Sequence, residues 1–206
     1  ILSGAPETVD GEAYVEAVFD ELLDRQFSSE GVHLEHSPGY QLFVVKTLER
    51  LRQSGWYESM THVTDVIDGA RYSLRWFVFP DGLLSRMGDS SAVRTPVAWR
   101  RRPPGVMGRM YDEAGYAIIR TTASTPLETA SMLLVTGGHH SNVHKHADDL
   151  SFELFEGGRQ VIVDSGKYSY SRKPWRDYTD SAAAHNAIDM VTDRLDNGVR
   201  ASRPQG

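Results

Sequence analysis

The period of the hydrophobic pattern changes once along this chain, and that change restricts the fold more than any other feature. Up to about residue 80, apolar side chains recur every three or four positions. Beyond about residue 105 they fall into short β-branched or aromatic runs separated by turn residues. Helices and strands are therefore segregated, which excludes the alternating β and α units of a parallel sheet. Asp10 is placed to cap a helix carrying Val15, Val18, Phe19, Leu22 and Leu23. Ser37-Pro38 reads as an N-cap followed by proline at the first helical position, and the helix after it carries Tyr40, Phe43, Val44, Leu48 and Leu51. A third pattern runs through Met60, Val63, Val66, Ile67 and Ala70 toward Leu74 and Phe77. Pro80-Asp81-Gly82 ends it, and Ser85 to Pro104 reads as loop. Strands are predicted over Val106–Tyr111, Tyr116–Thr122, Ala130–Thr136, Leu150–Phe155, Gln160–Val163 and Ala184–Met190. Glu156-Gly157-Gly158-Arg159 supplies a hairpin turn between two of them. The predicted organisation is an α-helical segment over 1–80, a linker over 81–105 and an antiparallel β segment over 106–206.

Composition narrows the function classes. A net charge of −6 argues against a nucleic-acid binder working through general basicity. No stretch approaches the ~20 apolar residues of a membrane span. With no cysteine, disulfide frameworks and thiolate metal sites are excluded. One basic cluster stands out: Lys167, Arg172, Lys173 and Arg176 have no acid among them and suit an anion.

The densest polar segment is His139 to Gly166, HHSNVHKHADDLSFELFEGGRQVIVDSG. In an extended segment His144 and His146 would point the same way. Both could bind a metal, or one could bind while the other stays free to move a proton. Asp164 follows a strand that can return to the region of His146, and Ala184-His185-Asn186 adds a distant histidine. Imidazole and carboxylate without thiolate suit zinc. Tyr40 falls in the first turn of its helix, where the unpaired amides and helix dipole would ease phenolate formation.

The stretch HKHADDLSFELFEGGRQVIVDSGKYSY, followed by Arg176-x-Tyr178 and Ala184-His185-Asn186, resembles the heparinase II/III family of polysaccharide lyases. Gly31 to Tyr40 resembles that family's glycine–glutamate–serine–proline–tyrosine segment, and Gly82 with Gly88-Asp89-Ser90 its linker into the sandwich domain. The resemblance implies an α+β fold: the end of an incomplete α/α toroid followed by an antiparallel β-sandwich. It implies β-elimination at the uronic acid of an anionic polysaccharide, with export to the periplasm or outside the cell. By the family's pattern Tyr40 and His144 are the catalytic pair, and His146, Asp164 and His185 hold a structural zinc. Arg172, Arg176 and Tyr178 are expected to contact the sugar acids, because guanidinium pairs well with carboxylate or sulfate.

The family neutralises the uronate carboxylate with an asparagine on an earlier helix, and nothing upstream of Gly31 offers one. Both the toroid and the sandwich also need more elements than this chain holds, so it reads as a segment of a longer enzyme. A non-catalytic, zinc-containing binder of acidic glycans is the main alternative. A metallo-β-lactamase-type hydrolase would need a histidine where Asp149 stands. A cupin-like barrel would need a later Pro-x-Gly-x-x-His segment, which does not follow His144-x-His146.

Overall fold

Proline without an amide proton is well suited to the first turn of a helix, and Pro6 opens α1 (Pro6–Gln26). The helix thus starts ahead of Asp10, which lies inside it and not at its cap. The structure, a computed structural model, describes residues 6–55, 60–95, 108–122, 124–171 and 173–188. The second helix, α2 (Pro38–Gln53), begins as the sequence predicts. Ser37 is extended, and its Oγ accepts the Tyr40 amide proton at 3.2 Å. The third, α3 (Thr61–Leu74), follows Met60 and runs into a 3₁₀ turn over Arg75–Phe77. Leu42, Val45 and Leu48 of α2 are buried with Val63, Ile67, Ala70 and Leu74 of α3 in one core. Gln41 fastens the two helices, donating to the Ala70 carbonyl at 3.0 Å and to Ser73 Oγ at 2.6 Å.

Pro80-Asp81-Gly82 turns the chain: Asp81 Oδ1 accepts the Leu83 amide at 3.0 Å. Among the described residues five strands follow in a meander, all antiparallel and in chain order: β1 (Gly108–Tyr111), β2 (Tyr116–Arg120), β3 (Ser131–Thr136), β4 (Phe152–Glu156) and β5 (Arg159–Ile162). The predicted hairpin joins β4 to β5 through two residues. Both are left-handed, Gly157 at φ 59 and Gly158 at φ 84, as a two-residue loop of this kind requires.

Alternation along the strands turns Ile118, Met132, Leu134 and Phe155 inward. The segment after α3 covers them. Phe77 meets Tyr116 edge-on with ring centroids 4.8 Å apart, and Phe79 stacks on Phe155 at 6.3 Å. Arg120 is buried with its guanidinium 3.8 Å above the Trp76 ring, and it donates to the Arg75 carbonyl at 3.0 Å. One hydrophobic core therefore runs from α1 to β4. The register also aligns Ile119, Leu133, Leu154 and Ile162 on the opposite face, which is apolar as well.

One expectation fails near the end of the described residues. Ala182–Ala184 is a 3₁₀ turn and 185–188 is irregular, so no strand starts at Ala184; residues 189 and 190 lie outside the described set. Here Asn186 takes the backbone partners a strand would need: its Nδ2 donates to the carbonyls of Phe152 (3.0 Å) and Val163 (2.9 Å). A short helix that the periodicity does not reveal, α4 (Pro174–Asp180), lies just before it.

Candidate active site

The turn Gly88-Asp89-Ser90 joins every part of the site. Ser90 Oγ accepts the Gly39 amide at 2.9 Å and hydrogen-bonds with Ser37 Oγ at 2.9 Å, which holds the first turn of α2. Its carbonyl accepts the Lys167 amide at 2.8 Å. Gly88 is left-handed (φ 58), and a Cβ there would stand 2.3 Å from the His36 carbonyl oxygen and 2.9 Å from that of His144. Only glycine lets the three segments approach this closely.

Tyr40 and His144 come together against this turn. Their rings stack with centroids 3.5 Å apart and planes 17° from parallel. His144 does not lie in an extended segment as predicted. It is left-handed at φ 55, an uncommon state for a residue with a side chain. Its Nδ1 is 2.9 Å from Asp89 Oδ2, and its Nε2 is 3.5 Å from Glu35 Oε2. The Tyr40 hydroxyl shares a short hydrogen bond with that of Tyr170. A cleft of about 350 Å³ opens beside it, lined by Gly39, Tyr40, Phe43, Asp89, Ser91, Val93 and Lys167. Burial first, and then the bond to Tyr170, push the Tyr40 phenol up to about 12, against a smaller pull from Lys167. This reverses the expected easing of phenolate formation. At neutral pH the phenol keeps its proton and can donate it.

His146 belongs to the same cluster but faces inward. Its Nε2 lies 2.9 Å from Asp89 Oδ1 and 3.4 Å from Asp180 Oδ1, and the three residues form a buried group able to hold a metal ion. The Arg176 guanidinium already reaches both carboxylates, pairing with Asp89 and lying 2.9 Å from Asp180 through Nε. Burial alone would push the Asp89 carboxyl up. Hydrogen bonds from His144, His146 and Arg176 hold it far below the usual carboxylate range. The predicted ligand set is placed differently. Asp164 is buried and accepts from His185 Nδ1 (2.8 Å), Ser151 Oγ (3.1 Å) and the Gly166 amide (2.9 Å). The His146 and His185 rings are 5.3 Å apart. Burial disfavours the charged form of His185, but the bond to Asp164 outweighs it and raises the pKa. His146 Nδ1 is buried without a hydrogen-bond partner. His185 Nε2 likewise makes no hydrogen bond of normal geometry, although the Thr179 carbonyl near it favours the protonated ring. His146, with a carboxylate on Nε2 and an unpartnered buried Nδ1, suits an imidazole-bound metal.

The remaining predicted residues divide. Arg172 lies outside the described residues. Arg176 is committed to Asp89 and Asp180, and Tyr178 donates to the Ala183 carbonyl at 3.4 Å. Three participants were not assigned from the sequence. Asp89 and Tyr170 stood within quoted motifs but had no role. His36 is buried and left-handed, and its Nε2 accepts the amides of His140 (3.0 Å) and Ser141 (3.3 Å), docking the loop that leads to His144.

Comparison with known proteins bears on the fold. Residues 103–191 match the family model described as Heparinase II/III-like, C-terminal. Among solved structures, a heparinase III gene product superposes with a TM-score of 0.72 at 17% identity, covering 83% of this chain and 31% of its own. Heparan sulfate lyase HepC from Pedobacter heparinus gives 0.69 at 16% identity, with 85% and 33% covered. Another structure of heparinase III gives 0.69 at 18% identity, with 83% and 34% covered. The chain thus spans about a third of the length of the solved structures it matches. No curated protein matches it. The resemblance read from the histidine motifs is borne out, and so is the α+β fold it implied.

Proposed function

We propose that this chain carries the tyrosine–histidine part of a polysaccharide lyase that cleaves an anionic, uronic-acid-containing polymer by β-elimination. The stacking of Tyr40 on His144 beside a cleft is the observation that carries the reading. In the reaction, His144 Nε2 takes the C5 proton of the uronate. The electron pair forms the C4–C5 double bond, and the bond from C4 to the leaving oxygen breaks. Tyr40, whose phenol is protonated at neutral pH, gives that oxygen its proton. The stacked rings then let His144 return a proton to Tyr40 through the hydroxyls or water around them. Charge developing on the uronate carboxylate needs a positive group, and Lys167 lines the same cleft.

His146, Asp164 and His185 are assigned to a zinc ion, supported by the unpartnered buried Nδ1 of His146 and by the close approach of His185 Nδ1 to Asp164 Oδ2 at 2.8 Å. Such an ion supplies a fixed charge that braces the loops, and it takes no part in proton transfer. Arg176, with Arg172 and Tyr178, is assigned to the sugar acids; a substrate carboxylate would share Arg176 with Asp89 and Asp180. On this reading residues 1–80 belong to a toroid, 81–105 to the linker and 106–206 to a sandwich. The names of the structural relatives favour a glycosaminoglycan substrate, and a polymer of that kind places the enzyme in the periplasm or outside the cell.

The test uses the full-length protein on a panel of uronate polymers, following the ultraviolet absorbance of the unsaturated uronate product. Tyr40→Phe should lower kcat by roughly 10²–10⁴-fold with KM little changed, the usual size of a lost acid–base group. If the unaltered protein produces no absorbance rise on any of these polymers, the lyase reading is wrong.

A further inference from the structure

Asp89 places one buried carboxylate between both histidines of the His144-x-His146 pair. Oδ2 lies 2.9 Å from His144 Nδ1, and Oδ1 lies 2.9 Å from His146 Nε2. An ionised carboxylate only accepts hydrogen bonds, so each ring nitrogen facing it carries the proton. In a neutral ring the other nitrogen is then the one with a free lone pair. For His144 that is Nε2, on the Glu35 side. For His146 it is Nδ1, which is buried and has no hydrogen-bond partner. The backbone adds a second hold. The Asp89 amide donates to the His144 carbonyl at 3.2 Å, securing a residue that is left-handed. Arg176 also donates to Oδ1, which keeps the carboxylate charged and oriented.

We infer that Asp89 is a positioning residue that sets the tautomer of both histidines at once. It leaves His144 Nε2 as the proton acceptor and His146 Nδ1 as the donor atom for a metal. The rival role is a direct metal ligand, since Asp89, His146 and Asp180 offer atoms within 4.8 Å of one another. Against it, the Arg176 guanidinium already provides the positive charge between the two carboxylates. The catalytic half of the inference rests on the lyase reading; the tautomers do not.

The decisive measurement is nitrogen-15 NMR of the histidine side chains in the full-length, zinc-loaded protein, assigned with His144→Gln and His146→Gln. The expected result is His144 protonated on Nδ1 and His146 protonated on Nε2. A bare His144 Nδ1 in the unaltered protein overturns the inference, whether or not any variant folds. Asp89→Asn should lower kcat roughly 10²–10⁴-fold with KM within a few-fold. It should weaken zinc about 10–100-fold while still binding one ion at saturation, as loss of an outer partner does. Failure to bind zinc at saturation would make Asp89 a ligand and overturn the positioning role. The NMR readout needs no turnover, so it decides the tautomers even if the protein cleaves no uronate polymer.

Discussion

At the scale of the residue, His36 shows how a buried ring is held neutral by what it accepts. Its Nε2 takes two backbone amides, so a proton there would break both bonds. Burial first, then the charges of Lys145, His140 and His139, lower its pKa from 6.5 to about 4, with Asp149 opposing. The contribution to stability is complete above 6.5. It is lost as the pH falls toward 4, because over that range the unfolded chain binds a proton that the folded one refuses. The unfolding free energy read from urea melts should therefore drop between pH 6.5 and 4, with on the order of 1–2 kcal/mol of the fall from this residue once solvent screening is allowed for. His36→Asn should flatten part of the slope, since asparagine tolerates the left-handed backbone and keeps an acceptor. His33, also lowered to about 4 by burial and by His144, supplies another part. An unchanged slope in that variant would remove His36 from the account. At this scale the sequence named Tyr40 and His144 but not Asp89, which stands in a loop motif with no periodic signal and meets partners more than fifty positions away.

At the scale of the element, the best-read feature was the start of α2. Ser37 caps it, Pro38 begins it, and the cap also ties the helix to Ser90. Ser37→Ala should lower stability by about 1–2 kcal/mol, measured by urea unfolding, with the higher end expected because Ser90 Oγ loses a buried partner. A change below a few tenths would mean that the cap is dispensable. Strands were legible wherever polar and apolar residues alternate against a covered core, as in β3. The misread segment after Ala184 has strand-like residues, but the Asn186 side chain occupies the carbonyls it would need. Helix α4 escaped notice because seven residues hold too few apolar positions to show a period. The predicted strand start at Val106 lies outside the described residues, while β4 begins at Phe152 and not at Leu150, which is left-handed.

At the scale of the whole molecule, the helical and sheet parts share one core. Trp76, Phe77 and Phe79 connect Ile67 and Leu74 on one side to Tyr116 and Phe155 on the other. The 206-residue chain should unfold in a single transition, with helix signal in the far ultraviolet and aromatic signal in the near ultraviolet coinciding. Two separated midpoints would show that the parts are energetically independent. The turn at Gly88-Asp89-Ser90 has a further consequence, for the order of assembly. Ser90 meets Ser37 across 53 positions, and Asp89 meets His144 across 55 and Arg176 across 87. Contacts of such long range form slowly, because distant segments must be brought together before any of them is rewarded. Helices and hairpins can form early from local contacts, while the reactive geometry exists only once the last of these long loops has closed. A nascent or partly folded chain therefore has its secondary structure before Tyr40, Asp89 and His144 come together.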